Sequence, residues 1–228
     1  MIYDHYLSVS ASSLPRYVRF KHKSNSYSYR KEKLQNIERL SKRTFTDYCL
    51  YRKQFPNLST VQYDSVLGKK YDKKAILTIT FPKEKFQFGR IIEKSNPRSV
   101  LMVMNYLFNK LGYDRAREIF AVNLADNGME FSYFHMLELR EVKVFFTNPF
   151  RSTDKAECER NHEFIRTIIP KGKSLDFLTQ ENLNLIFSHI NSYVRKSNKN
   201  KTPYDLIAER FGSEFLDLIG ISKIKPQD

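Results

Sequence analysis

Residues 119–128 read Ile119-Phe120-Ala121-Val122-Asn123-Leu124-Ala125-Asp126-Asn127-Gly128. Ile119 to Ala125 is a nearly continuous apolar run of strand length, as expected of a central strand covered on both faces. Asp126-Asn127-Gly128 then turns the chain. Upstream, Asn96 is a good N-cap and Pro97 suits the first helical position. Val100, Val103, Met104, Leu107, Phe108 and Leu111 follow at helical spacing, and Gly112 ends the helix. Further upstream, Leu58 to Leu67 and Ala75 to Phe81 are strand-like. Phe86, Phe88 and Ile92 mark a third strand. The turns Gly68-Lys69-Lys70 and Pro82-Lys83-Glu84-Lys85 join them as an antiparallel meander. Downstream come a short helix over 131–141, a strand over 142–146 and a helix over 153–168, stopped by Pro170 and Gly172. Leu183, Ile186, Phe187, Ile190, Tyr193 and Val194 form another amphipathic helix. Thr202-Pro203 starts a last one, through about Phe211. Three antiparallel strands and then α/β alternation predict an α/β fold, a mixed five-stranded sheet with helices on both faces.

The chain has 228 residues, 41% of them apolar, enough for one real core with appendages. That composition excludes a disordered tail or a collagen-like repeat. No apolar run approaches the ~18 residues of a membrane span, and the start Met1-Ile2-Tyr3-Asp4-His5 does not resemble a signal peptide. A soluble, cytoplasmic protein is expected. Cys49 and Cys158 read as free thiols. Against 39 Lys and Arg stand 25 Asp and Glu, a net charge of +14. A polyanionic partner follows, nucleic acid first and an anionic membrane surface second. The first 60 residues hold 12 basic and 4 acidic side chains, so more than half of the excess lies there. In Leu14-Pro15-Arg16-Tyr17-Val18-Arg19-Phe20-Lys21-His22-Lys23, basic and aromatic residues alternate. Residues 8–31 read as an extended, flexible basic arm. Arg16, Arg19 and Lys21 could follow a phosphate backbone while the aromatics stack on bases or sugars. The competing reading is a solubilising linker. Residues 31–54 carry one or two short helices. The expected division is 1–57 for the arm and short helices, 58–212 for the core and 213–228 for a C-terminal tail.

Three acids occupy notable places. Asp64 lies inside the first strand, where a buried charge is costly unless compensated. Asp126 follows the fourth strand directly, a common site position in such sheets. Glu159 lies one turn into the helix after the last strand, with Glu163 and Arg166 on its face. Each alone has an ordinary explanation: an edge-strand charge, a turn residue, a solvated helix face. Together they suit two-metal phosphoryl transfer. Carboxylates so close would repel one another and take up protons. Two Mg²⁺ ions, which favour oxygen ligands, would remove that conflict and act on both the attacking and the leaving oxygen of an in-line displacement.

With these residues in place, the chain resembles the catalytic half of DDE transposases of bacterial insertion sequences, most closely the insertion-sequence-thirty type. Gln62-Tyr63-Asp64-Ser65-Val66-Leu67-Gly68-Lys69-Lys70 is similar to the family's first-aspartate motif, and Asp126-Asn127-Gly128-Met129-Glu130-Phe131 to its second. Pro149-Phe150, Ser152 and Lys155 precede Glu159 as they precede the family's glutamate. Ile165-Arg166, Ile169-Pro170-Lys171-Gly172, Asn191, Arg195-Lys196 and Lys201-Thr202-Pro203 continue the likeness, which covers about residues 2–210. Three positions depart from the pattern: Ala156 and Glu163 replace Gly, and Arg160 replaces Asn. The resemblance implies an RNase H-like (integrase core) fold and metal-dependent DNA cleavage at transposon ends, followed by 3′-OH strand transfer into target DNA. It implies that Asp64, Asp126 and Glu159 bind two Mg²⁺, with Mn²⁺ as a substitute. Double-stranded DNA, a homodimer or higher homo-oligomer and no membrane are the expected partners. Lys155, Arg160, Lys171, Arg195 and Lys196 are candidate DNA contacts. Tyr63 is expected to pack rather than act as a nucleophile, and His135 and His162 read as lone histidines. Only Ile2-Tyr3-Asp4-His5-Tyr6 resembles the end of the family's helix-turn-helix, so a truncated reader is expected. The alternatives are an inactive DNA-binding remnant and an RNase H-type nuclease without strand transfer.

Overall fold

The computed structural model describes residues 38–94, 96–148 and 156–225, the last segment with side chains from 161 onward. The basic arm, Arg16, Arg19, Lys21 and Lys155 lie outside the described residues, as do the side chains of Glu159 and Arg160. From Lys42 onward the described chain forms one compact unit.

Five strands build its sheet: β1 (Thr60–Leu67), β2 (Lys74–Phe81), β3 (Phe86–Glu93), β4 (Val122–Ala125) and β5 (Lys143–Phe146). Their order is β3-β2-β1-β4-β5. β1, β2 and β3 run antiparallel, whereas β4 pairs parallel with both β1 and β5. This is the mixed, RNase H-like arrangement that the sequence implied. Every residue of β2 after Lys74 is buried, so the central sheet is covered on both faces.

On one face, Phe81 and Phe88 meet Phe211 and Phe215 of the C-terminal helices, and Phe81 also meets Phe120. Phe108 of α2 (Pro97–Leu111) stacks on Phe120 at 5.8 Å. On the other face lie α4 (Ala156–Ile168) and α5 (Gln180–Ser192). There His162 of α4 reaches Thr78, and Asn191 of α5 pairs with the Gln87 backbone through both its amide groups. Next to α4, α1 (Phe45–Gln54) lays Phe45, Tyr48 and Tyr51 against Val122, Leu124 and Phe145. Thr44 caps α1 in a reciprocal box with Asp47.

The sequence missed α3 (Tyr113–Ile119), which takes Ile119 from the expected fourth strand. Residues 131–141 were expected to form one helix. Instead, two 3₁₀ turns cover Met129–Phe131 and Phe134–Arg140. Beyond α6 (Pro203–Phe211), the expected tail contains α7 (Ser213–Leu218). Phe215, Leu216, Ile219 and Ile221 are all buried, so residues 213–221 are part of the core. No helix among the described residues is long and apolar enough to cross a membrane.

Candidate active site

The site grows from one register. β1 and β4 pair from Thr60↔Val122 to Tyr63↔Ala125. One residue further on, Asp64 and Asp126 therefore occupy neighbouring positions at the end of the parallel pairing. The junction is fixed underneath by a buried polar chain. The Tyr63 hydroxyl donates to Asn123 Oδ1 at 2.7 Å, and Asn123 Nδ2 donates to the carbonyls of Phe120 and Lys143 at 2.7 and 3.0 Å. Burial pushes the Tyr63 hydroxyl well above the ordinary tyrosine value. Its ring lies edge-on to Phe134 at 4.7 Å. Tyr63 is thus a packing residue, as the sequence suggested.

Asp64 is half-buried, and its carboxylate has the Ser65 amide on one side and the His162 ring on the other. Oδ1 accepts from the Ser65 N–H at 2.8 Å, and Oδ2 lies 3.9 Å from Nδ1 of His162. Thr78, opposite Asp64 on β2, lies between the two residues. Its hydroxyl is 3.1 Å from the Asp64 carbonyl and 2.9 Å from His162 Nε2. A hydroxyl has one proton. When Thr78 gives it to the Asp64 carbonyl, His162 Nε2 is the donor to the Thr78 hydroxyl. His162 was expected to be a lone histidine; the structure places it beside Asp64. The available signal was its spacing, three residues past Glu159 on one helix face.

Asp126 Oδ1 accepts from the Gly128 N–H at 2.9 Å, so the turn reading of Asp-Asn-Gly is correct as far as it goes. Asn127 anchors the same turn to the Thr147 carbonyl at 2.6 Å. The carboxylates of Asp126 and Glu130 crowd Gly128. A Cβ there would lie 2.7 Å from Glu130 Oε2 and 2.9 Å from Asp126 Oδ1. Glu130, which the sequence reading passed over, is drawn in by the Ser65 hydroxyl, which donates to its carboxylate. Oxygen atoms of Asp126, Glu130 and Ser65 thus gather beside the strand ends, donors of the type that suits hard cations. Among the described residues no three metal-ligating side chains converge.

α4 carries Glu159 and packs along β1. His162 marks its upper contact, and Arg166 Nη2 donates to the Leu67 carbonyl at 2.9 Å. Desolvation lowers the Arg166 pKa from its usual value. Of the expected DNA contacts, Lys171 and Lys196 are exposed. Arg195 is half-buried, with its guanidinium 4.1 Å above the Phe164 ring. Lys201, from the same basic cluster, pairs with Glu209.

A sheet of this order, with two carboxylates at the end of its central parallel pair, resembles the catalytic cores of transposases and integrases. The chain is 26% identical over 137 residues to the transposase for insertion sequence element IS4351 from Bacteroides fragilis. That match covers 60% of this chain but 40% of that protein, so the chain spans well under half of this relative's length. Among solved structures it is similar to the catalytic core domain of BIV integrase, with 14% identity and a TM-score of 0.48, over 69% of this chain and 98% of that one. It is also similar to a chain of the simian T-cell lymphotropic virus intasome in complex with PP2A regulatory subunit B56 gamma. There the identity is 12% and the TM-score 0.49, over 65% of this chain and 53% of that one. No family model matches the chain.

Proposed function

We propose that the chain is the catalytic part of a DNA transposase that cleaves at transposon ends and joins the freed 3′-OH to target DNA. The observation that carries this reading is the β1/β4 register, which sets Asp64 and Asp126 side by side. Glu159 completes the set in this reading. It precedes His162 by three residues, and the His162 face of α4 meets Asp64.

The donors are carboxylates with the oxygens of Glu130 and Ser65 beside them, a donor set that fits Mg²⁺ or Mn²⁺. Asp64, Asp126 and Glu159 would hold two such ions, with Asp126 fixed by the Gly128 N–H of its turn and Asp64 by the Ser65 N–H. When bound, the ions would supply Lewis-acid stabilisation of the attacking and leaving oxygens. The chain's own contribution is placement. The Tyr63–Asn123 chain keeps the strand ends in register, the Ser65 N–H orients the Asp64 carboxylate, and Thr78 ties the Asp64 carbonyl to His162. No covalent protein intermediate is needed, which agrees with the buried, hydrogen-bonded Tyr63. Lys171, Lys196 and Arg160 would hold the phosphate backbone, with DNA bound by a homodimer or larger homo-oligomer.

The test is incubation with Mn²⁺ or Mg²⁺ and a duplex ending in the inverted repeat that brackets the reading frame, beside an Asp126→Asn control. Joined product from the wild type that disappears in the control supports the reading. Equal DNA binding with no product from either protein would make the chain a binding remnant. Hydrolysis of an RNA–DNA hybrid without joining would make it a nuclease.

A further inference from the structure

We propose that the β1–β2 turn and the loop between α4 and α5 form one basic surface that grips the phosphate backbone of duplex DNA leaving the site. This rests on the reading of the chain as a DNA-acting enzyme and names a surface for it. The two segments are about a hundred residues apart in sequence, yet two aspartates fasten them together. Asp72 accepts from the Lys69 and Leu175 N–H groups and the Ser174 hydroxyl, each at 2.8 Å. Asp176 Oδ1 accepts from the Lys73 and Lys74 N–H groups at 2.9 and 3.0 Å. Lys94 closes the other side of the turn, donating to the carbonyls of Lys69 and Lys70 at 3.0 and 2.8 Å. The fit is tight. A Cβ on Gly68 would lie 2.1 Å from Asp72 Oδ2 and 2.9 Å from the Lys173 carbonyl.

This arrangement engages both acids with backbone donors and leaves Lys69, Lys70, Lys73, Lys171 and Lys173 exposed on the joined loops. Between them stand two aromatics that the fold does not bury, Tyr71 at 87% and Phe177 at 70% exposure. Exposed lysines interleaved with aromatics match a nucleic-acid backbone and its sugars or bases. The position favours DNA over a lipid surface. Gly68, the first residue past β1, follows Asp64 by four residues, ~13 Å at strand rise. That is about four base-pair steps of ~3.4 Å along a duplex whose scissile phosphate lies at Asp64.

The experiment measures binding of the full chain to a mixed-sequence duplex from 50 to 200 mM salt. Three quadruple variants are compared with the wild type: K69Q/K70Q/K171Q/K173Q, its Lys→Arg counterpart, and a control of equal charge change, K53Q/K83Q/K110Q/K143Q. Each phosphate contact contributes roughly 0.9 to the slope of log affinity against log salt. The patch variant is expected to flatten that slope by roughly 3 to 4, the control to change it by less than one, and the Lys→Arg variant to restore it. Equal flattening in patch and control variants, or a patch variant with the wild-type slope, would overturn the proposal. So would loss of binding to phosphatidylserine vesicles with the DNA slope intact. Repeating the titration in Asp126→Asn protein separates this proposal from the catalytic one. A flattened slope without strand transfer in the wild type keeps the patch and removes the site.

Discussion

Tyr63 and His162 show how much a single residue's environment decides. Tyr63 adjoins Asp64 in sequence, but strand alternation turns it to the opposite face, where its hydroxyl meets Asn123. Tyr63→Phe leaves the buried Asn123 oxygen without that donor. The expected cost is about 1–3 kcal/mol, read as a shift in urea midpoint at constant slope. Strand transfer by the folded variant should stay within a few-fold of wild type, since Tyr63 does no chemistry. Asp64 and Asp126 were legible as candidates because each is a charge against an apolar strand. Glu130 and His162 were not. Neither breaks a local pattern, and each reaches the site through a contact across the fold, with Ser65 and with Thr78.

At the scale of elements, most boundaries followed from strong local signals. Asn96, Pro97 and Gly112 delimit α2 where the sequence expected it, and Thr202-Pro203 starts α6. The misses came from apolar runs whose period does not discriminate. Ile119 and Phe120 are buried at the end of a helix, yet read as the start of a strand. In residues 134–140, Phe134 and Leu137 are buried three apart while Met136 and Leu139 are exposed. That three-residue period suits a 3₁₀ turn. The Asp72 fastening gives a prediction for this scale. Burial alone would raise the Asp72 pKa, but the donors from Leu175, Ser174 and Lys69 and the charge of Lys94 outweigh it, and the net shift is downward from 3.8. A carboxylate lowered on folding stabilises above its unfolded value, and that contribution is lost as pH falls through the folded one. The difference in urea midpoint between wild type and Asp72→Asn should therefore hold from pH 7 to pH 5 and shrink below about pH 3.8. A difference that stays constant down to pH 3 would show that the Asp72 charge does not fasten the loops.

Over the whole molecule, the excess of positive charge and the few well-placed acids divide the work. The net +14 suggested a polyanion before any fold was known. Part of that excess now has a surface, on two fastened loops beyond the end of β1. The mixed five-stranded sheet was legible because the central strand, the meander and the helices all pointed one way. The joining of residues 68–73 to 169–178 was not, because it depends on two aspartates that read locally as turn residues. The central claim is that Asp64, Asp126 and Glu159 act together on divalent cations. It is tested most directly by calorimetric titration of Mn²⁺ into wild type, Asp64→Asn, Asp126→Asn and Glu159→Gln. The account predicts measurable binding to the wild type and at least tenfold weaker binding to each of the three folded variants. Wild-type affinity in any one of them would contradict it.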